Sequence, residues 1–228
     1  MKAKMVNFRQ PVTMVGGGAL SSAALQRARD IAPHLIAADG AANALHDLDL
    51  RPDAIIGDMD SIGDLGPWRD GPTSIIELNE QDSTDFEKCL YATDAPLYLG
   101  VGFTGRRMDH SLAVLHAMLV HPGKRVILVG EDDLVMAVPP STEICLDLPE
   151  GAVVSFFPFA EATGTRSVGL RWSVEGLRMS PGRQIGTSNR ATGGDVRFAF
   201  DRAGVFLMLA PAYLSQVIAA LGWCVSEA

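Results

Sequence analysis

The sequence predicts an α/β protein with a doubly wound parallel-sheet N-terminal domain followed by a β-rich, sandwich-like C-terminal domain. Three observations carry this reading. Short apolar runs alternate with helical patterns as far as residue 138, a break "VPPST" follows at 138–142, and beyond it lie short strand-like runs divided by Gly, Pro and Asp. Strand and helix in alternation build a parallel sheet covered on both faces, whereas short strands with turn punctuation build antiparallel sheets packed face to face. The expected domains are therefore 1–138 and 143–228, and 228 residues suffice for two modest cores.

In order, the first half reads "VTMVGGG" (12–18) as strand and turn, "SSAALQRARDIA" (21–32) as helix, and "HLIAAD" (34–39) as strand. "GAANALHDL" (40–48) is helical, "AIIGD" (54–58) a strand, and "STDFEKCLYAT" (83–93) a helix. "PLYLGVG" (96–102), "DHSLAVLHAMLV" (109–120) and "RVILVG" (125–130) complete the series as strand, helix and strand. In the second half the strands are "EICLDL", "AVVSFFPF", "SVGLRW" (167–172), "DVRFAF" and "VFLML". The last apolar pattern, "AYLSQVIAALGW" (212–223), fits a terminal helix or one more strand. The chain carries no internal repeat and no low-complexity segment.

With 19 Lys plus Arg against 27 Asp plus Glu, the net charge of −8 argues against a nucleic-acid backbone as the main partner. Cys89, Cys145 and Cys224 are odd in number and far apart, which suits small core residues in a reducing compartment. No apolar run approaches the ~18 residues of a membrane helix, and the first residues lack the pattern of a secretory signal. A cytoplasmic protein is expected.

Ligands of open parallel sheets bind beyond the carboxyl ends of the strands, near the point where strand order reverses. The strand ends here carry Gly16 to Gly18, Asp39, the pair Asp58 and Asp60, and the stretch Gly100 to Asp109. Asp58 and Asp60 are two positions apart, so both carboxylates can lean the same way, and their repulsion calls for a cation. Magnesium suits one or two carboxylates and prefers phosphate oxygens for its remaining positions. Turn-forming aspartates are the plainer alternative, and Asp64 in "GDLGP" keeps that reading.

"EQDSTDFEKCL" (80–90) contains a capping box, Thr84 with Glu87, that opens a helix. Capping does not account for Asp82, Asp85 and Lys88, the last on the face of Asp85; a carboxylate for metal and an ammonium for phosphate suit a nucleotide. "GVGFTGRRMDH" (100–110) holds GxGxxG, a dinucleotide fingerprint, with Glu131 in the rough place of a ribose-binding acid. Against that stand its position late in the sheet and the charged helix entry. Arg106 and Arg107 fit a clamp on terminal phosphates, and His110 beside Asp109 fits either that site or a plain helix start. No Walker sequence, GxSxG or HExxH occurs.

Taken together, "AADGAAN", "PDAIIGDMDSI", "QDSTDFEKCL", "GFTGRRMDH" and "GTSN" resemble the thiamine pyrophosphokinases, in order and spacing, over about two thirds of the chain. The resemblance implies a homodimer that transfers pyrophosphate from ATP to the hydroxyl of thiamine, releasing AMP. By position it makes Asp58, Asp60 and Asp85 the Mg²⁺-binding acids, with Asp39 in the same acidic group. It turns Gln81, Thr84, Lys88, Arg107, Asp109 and His110 toward the ATP phosphates. Ser188 and Asn189 match a motif of the thiamine pocket, completed across the dimer, and Trp172 offers an aromatic wall for the cationic thiazolium or, alternatively, a core residue. The chain departs from the family pattern at Ala41 and Arg106, where glycines are usual, and at Arg190, where an acid is common. If the second of those glycines needs positive φ, Arg106 strains the loop. The alternatives are a diphosphokinase for another alcohol, such as a hydroxymethylpterin, and an NAD-type oxidoreductase using "GVGFTG".

Overall fold

The computed structural model describes residues 5–223. By contact the chain divides into two units, Met1–Glu131 and Asp132–Ala228.

The elements of the first unit are β1 (Val6–Asn7), β2 (Val12–Val15), α1 (Ser22–Arg29), β3 (His34–Ala38), α2 (Ala41–Asp47), β4 (Ala54–Gly57) and α3 (Gly66–Arg69). They continue with β5 (Ser74–Glu77), α4 (Asp85–Ala92), β6 (Thr93–Asp94), β7 (Tyr98–Val101), α5 (Met108–Val120) and β8 (Val126–Val129). Strands pair in the order β8-β7-β2-β3-β4-β5, all parallel, while β1 and β6 form a separate short parallel pair. Residues in β2, β4, β7 and β8 are buried at every position, as both-face coverage requires.

From β2 the chain steps outward to β5 and then returns to the other side of β2 as β7, so the order reverses between β2 and β7. Right-handed crossovers therefore put α1 and α2 on one face and α4 and α5, which pack on each other, on the opposite face. This is the doubly wound arrangement expected. Strand β5, "SIIE", was not foreseen: only Ile76 of its four residues is buried, so this edge strand shows neither alternation nor a long apolar run.

The second unit contains β9 (Leu134–Ala137), β10 (Ile144–Leu148), β11 (Val153–Pro158), β12 (Ala162–Val168), β13 (Arg178–Met179) and β14 (Gly186–Arg190). It ends with β15 (Gly194–Phe200), β16 (Val205–Leu209), a 3-10 turn Pro211–Tyr213 and α6 (Leu214–Ala220). Strand β9 lies inside the range 1–138 expected for the first domain, yet it pairs antiparallel with β16 and belongs to this unit.

Two layers form, β14-β11-β16-β9 and β10-β15-β12-β13. Their inner faces meet at Phe156 of β11, whose ring lies 4.9 Å from Phe198 and 5.4 Å from Phe200 of β15. The β-rich, sandwich-like expectation is met. The terminal pattern resolves as helix, burying Leu214, Val217 and Ile218 at helical spacing.

Besides β9 and the short β13, which match no expected run, β12 and β14 differ from expectation. The run "SVGLRW" is mostly loop, because Gly169 turns at φ +69 against the carbonyl of Asp195, and the strand instead covers 162–168. "GTSNR" is a strand despite weak β formers, held by its pairing with β11. Cysteine 89 is buried as expected, whereas Cys145 is exposed on the outward side of β10, whose burial alternates; Cys224 lies outside the described residues.

Candidate active site

The ends of β2 and β7 are stitched together at the reversal point. Gly16 N–H donates to Val101 O at 2.9 Å, Gly18 N–H to Gly102 O at 2.6 Å, and Ala19 N–H to Thr104 O at 3.1 Å. Gly102 turns at φ +69, and a Cβ there would sit 2.7 Å from Gly16 O, so the close approach of the two loops demands glycine.

One strand over, Asp39 ends β3. It is 2% exposed and holds φ 43, a left-handed conformation unusual for a side-chain-bearing residue. Its Oδ1 accepts from Met59 N–H at 2.9 Å, and Met59 is itself left-handed at φ 67. The "GDMD" turn thus wraps around the Asp39 carboxylate. Gly57 makes this possible, since a Cβ there would stand 2.5 Å from Asp39 Cβ. Holding two such residues in this region costs about 1 kcal/mol or more each, a cost that the surrounding bonds offset.

The turn brings Asp58 and Asp60 to Asp39, with oxygens of all three within 4.8 Å of one another. At an effective dielectric of ~20, each pair of full charges at that distance repels by about 3 kcal/mol. An all-oxygen set of this kind fits a hard divalent cation. Asn43, which the sequence reading left without a role, ties the turn down: its Nδ2 donates to Ser61 O at 2.9 Å and its Oδ1 accepts from Gly63 N–H at 3.3 Å. Its place inside the quoted "AADGAAN" was the available signal. Asp64 accepts from Gly66 N–H at 2.8 Å in a plain turn.

The capping box is present as read: Thr84 Oγ accepts from Glu87 N–H at 3.4 Å, and Glu87 Oε2 accepts from Thr84 N–H at 3.3 Å. The helix it starts carries Lys88, 2% exposed, whose Nζ lies 3.5 Å from both Asp58 Oδ2 and Asp85 Oδ1. Asp85 therefore joins the site through the ammonium, across Lys88 from the three clustered carboxylates. Gln81 Nε2 donates to Asp58 Oδ2 at 3.2 Å.

These neighbours set the ionisation. Desolvation opposes charge on Asp58, but the Asp60 amide, Gln81 and Lys88 together hold its carboxyl below the ordinary value. For Asp85, desolvation wins and raises the pKa despite Lys88, with the charges of Asp39 and Asp58 adding to the rise. Lys88 is penalised by desolvation, yet Asp85 and Asp58 keep its pKa above the ordinary value. Upstream, Glu80 accepts from Tyr91 OH and from Ser83 Oγ, bracing the loop that carries Gln81.

Arg107 is bound to Asp109 by two hydrogen bonds, Nε at 3.1 Å and Nη2 at 2.5 Å, and the guanidinium pushes the Asp109 pKa down to about 2. Arg106 keeps an ordinary φ, so the strain that its replacement of glycine suggested does not arise; Gly102 and Gly105, at φ +69 and +94, take the left-handed positions instead. Ala41 likewise sits without strain, buried in the first turn of α2. Asp39, Asp58, Asp60, Gln81, Thr84, Asp85, Lys88, Arg106, Arg107 and His110 border one cleft of about 850 Å³ within the first unit, whereas Asp109 reaches it only through Arg107; Phe86 and Phe103, stacked edge to face at 4.8 Å, also line it.

In the second unit, Trp172 is 54% exposed, which removes the core alternative. Asn189 is buried and spends both ends of its amide on Trp172: Oδ1 accepts from the Trp172 N–H at 3.1 Å, and Nδ2 donates to the Trp172 carbonyl at 2.7 Å. Ser188 is exposed and left-handed at φ 61. Arg171 lies 5.0 Å over the Trp172 ring.

A reversal-point cleft of a parallel sheet, holding clustered carboxylates and a buried lysine, is the equipment of an enzyme that binds a nucleotide with a divalent cation. Comparison with known proteins narrows that class. The family model described as thiamin pyrophosphokinase, catalytic domain, matches residues 25–128, and that for the thiamin pyrophosphokinase vitamin B1 binding domain matches residues 141–205. The chain belongs to the thiamin pyrophosphokinase family. Thiamine pyrophosphokinase 1 of Arabidopsis thaliana is 30% identical over 185 residues, covering 68% of this chain and 69% of that protein. Thiamine pyrophosphokinase 1 of Oryza sativa subsp. japonica is 29% identical over 197 residues, 73% of this chain and 75% of that one. Among solved structures, the thiamin pyrophosphokinase from Candida albicans shares the fold with a TM-score of 0.75 at 15% identity, over 92% of this chain and 94% of its own. Neither the pterin nor the oxidoreductase alternative is favoured by these likenesses.

Proposed function

We propose that this protein transfers the terminal pyrophosphate of ATP to the hydroxyl of thiamine, giving thiamine diphosphate and AMP, with Mg²⁺ as cofactor. The observation that carries the reading is the close group Asp39, Asp58 and Asp60, one lysine away from Asp85, in the cleft of a chain of this family. Asp58 and Asp60, with Asp39 and Asp85 nearby, would hold the cation, which when bound supplies charge neutralisation for the polyphosphate.

The chain's own residues position and neutralise. The thiamine oxygen attacks the β-phosphorus in line with the bridging oxygen that leaves on AMP, so one P–O bond forms as another breaks. Lys88 faces the phosphates from its place between Asp58 and Asp85, while Gln81 keeps Asp58 turned inward. Thr84, Arg107 and His110 border the same cleft, at the two helix starts, and face the ATP phosphates in this reading, with Asp109, bound to Arg107, beside them. Asp39 and Asp60 are the candidates for accepting the hydroxyl proton.

Thiamine binding falls to the second unit, where the vitamin B1 binding domain matches and Trp172 is exposed. Trp172, Ser188 and Asn189 line that pocket in this reading, with a second copy of the chain completing it in a homodimer. The widely separated cysteines support a cytoplasmic setting, and no described helix is long and apolar enough to cross a membrane.

The test is incubation with ATP, Mg²⁺ and thiamine, with the nucleotide products resolved. AMP and thiamine diphosphate in equal amounts are expected. ADP would mean a simple kinase, and AMP formation only with a hydroxymethylpterin would move the acceptor.

A further inference from the structure

Three cationic side chains of Lys or Arg border the cleft, and they differ in what already holds them. Lys88 sits between Asp58 and Asp85, and Arg107 is gripped by both oxygens of Asp109. Arg106 meets no carboxylate among the described residues. Its hydrogen bond runs from Nη1 to the carbonyl of Gly17, at 3.3 Å, across the seam between the loops after β2 and β7.

We propose that Arg106 is a substrate-binding residue of this cleft, its guanidinium engaging phosphate oxygens of the nucleotide's polyphosphate beside Gly17. A polyanion entering a cleft with four aspartates needs a cation whose charge is not already cancelled. Arg107 must surrender two charge-assisted bonds before it turns to a phosphate; Arg106 surrenders one long bond to a neutral carbonyl. Its fork has N–H donors to spare for two oxygens at once, a geometry that ammonium lacks. Space is open where it reaches: a Cβ on Gly17 would meet nothing within 4 Å, although Gly16 and Gly18 are tightly packed. The assignment rests on the polyphosphate reading of the cleft given above.

The test compares the full-length protein with Arg106→Gln and Arg106→Lys. A hydrogen bond to a charged group is worth about 1.5–3 kcal/mol, so Arg106→Gln should raise KM for ATP about 10- to 100-fold at fixed Mg²⁺, with KM for thiamine unchanged. Competitive inhibition by adenosine, which has no phosphate, should not change, and Arg106→Lys should recover part of the loss. An unchanged KM for ATP, or equal weakening of ATP and adenosine, overturns the assignment. Calorimetric binding of inorganic tripolyphosphate separates this from the reaction itself. If the wild type makes no AMP from ATP and thiamine, the function reading fails, but weaker tripolyphosphate binding by Arg106→Gln still upholds Arg106.

Discussion

The cleft of the first unit and the Trp172 surface of the second are built on opposite principles. In the cleft, function is stored in buried charge: Asp39 and Lys88 are each 2% exposed, and Asp39 and Met59 are held left-handed by bonds that the fold enforces. At the Trp172 surface the aromatic side chain is open, and the buried polar group, Asn189, serves only backbone. The difference teaches that the first site is preorganised within one chain, whereas the second presents an aromatic side chain that is half exposed, anchored through its backbone and with Arg171 over its ring. Charge held in low dielectric gives strong effects on chemistry, while a solvated ring gives modest effects on affinity.

The comparison breaks most sharply at Asp58 and Asp60. Asp58→Asn or Asp60→Asn should lower kcat by about 10³-fold, the scale of several kcal/mol of charge stabilisation, with circular dichroism and Tm near wild type. Near-normal turnover in both would sink the metal assignment. Lys88→Met should lower kcat/KM by about 100-fold and also destabilise, by about 1 kcal/mol, because Asp58 and Asp85 lose their shared partner but are partly open to water, which screens the loss. Urea unfolding beside steady-state kinetics reads both.

At the second site the pattern should invert. Asn189→Ala is expected to cost about 1–3 kcal/mol in urea unfolding, since it leaves the Trp172 N–H and carbonyl unpaired, and to raise KM for thiamine while KM for ATP stays put. Trp172→Ala should raise KM for thiamine by about 2- to 30-fold, the range of a cation–π contact, with almost no change in stability. A large stability loss in that variant would mean that the ring packs rather than binds.

The smallest effect concerns Asp109. Its folded pKa of about 2 lies below the ordinary 3.8, so its pairing with Arg107 favours the fold above pH ~4 and loses that contribution as pH falls through about 2. Both side chains are exposed, about two thirds each, so salt should weaken the effect. Carboxyl NMR titration of Asp109 at low and high salt checks the value.

Much of the cleft was legible because strand ends, charge and helix caps are local. Alternation of apolar runs and helical patterns located β2, β3, β4, β7 and β8, and parallel pairing necessarily gathers their carboxyl ends, with Asp39, Asp58 and Asp60, along one edge. Thr84 and Glu87 were readable as a capping box because that motif involves four consecutive positions. Edge strand β5 escaped because half-exposed residues carry no period, and β14 because pairing with β11, rather than propensity, holds it.

What the sequence determined by itself was therefore the class of fold, the acidic character of the strand ends and the residue types available for a nucleotide. Only the tertiary structure decided how they are partnered: that Asp39 closes the carboxylate group while Asp85 stands beyond Lys88, that Arg107 is tied to Asp109 while Arg106 is not, and that Asn189 anchors Trp172. Periodicity and capping act over a few neighbouring residues and so are written in order along the chain. Partnership is different: Asp39 with the Met59 amide and Lys88 with Asp58 join residues twenty or more positions apart and exist only once the sheet has brought them together, while Arg107, two positions from Asp109, has other possible partners in the cleft and the folded loop selects one.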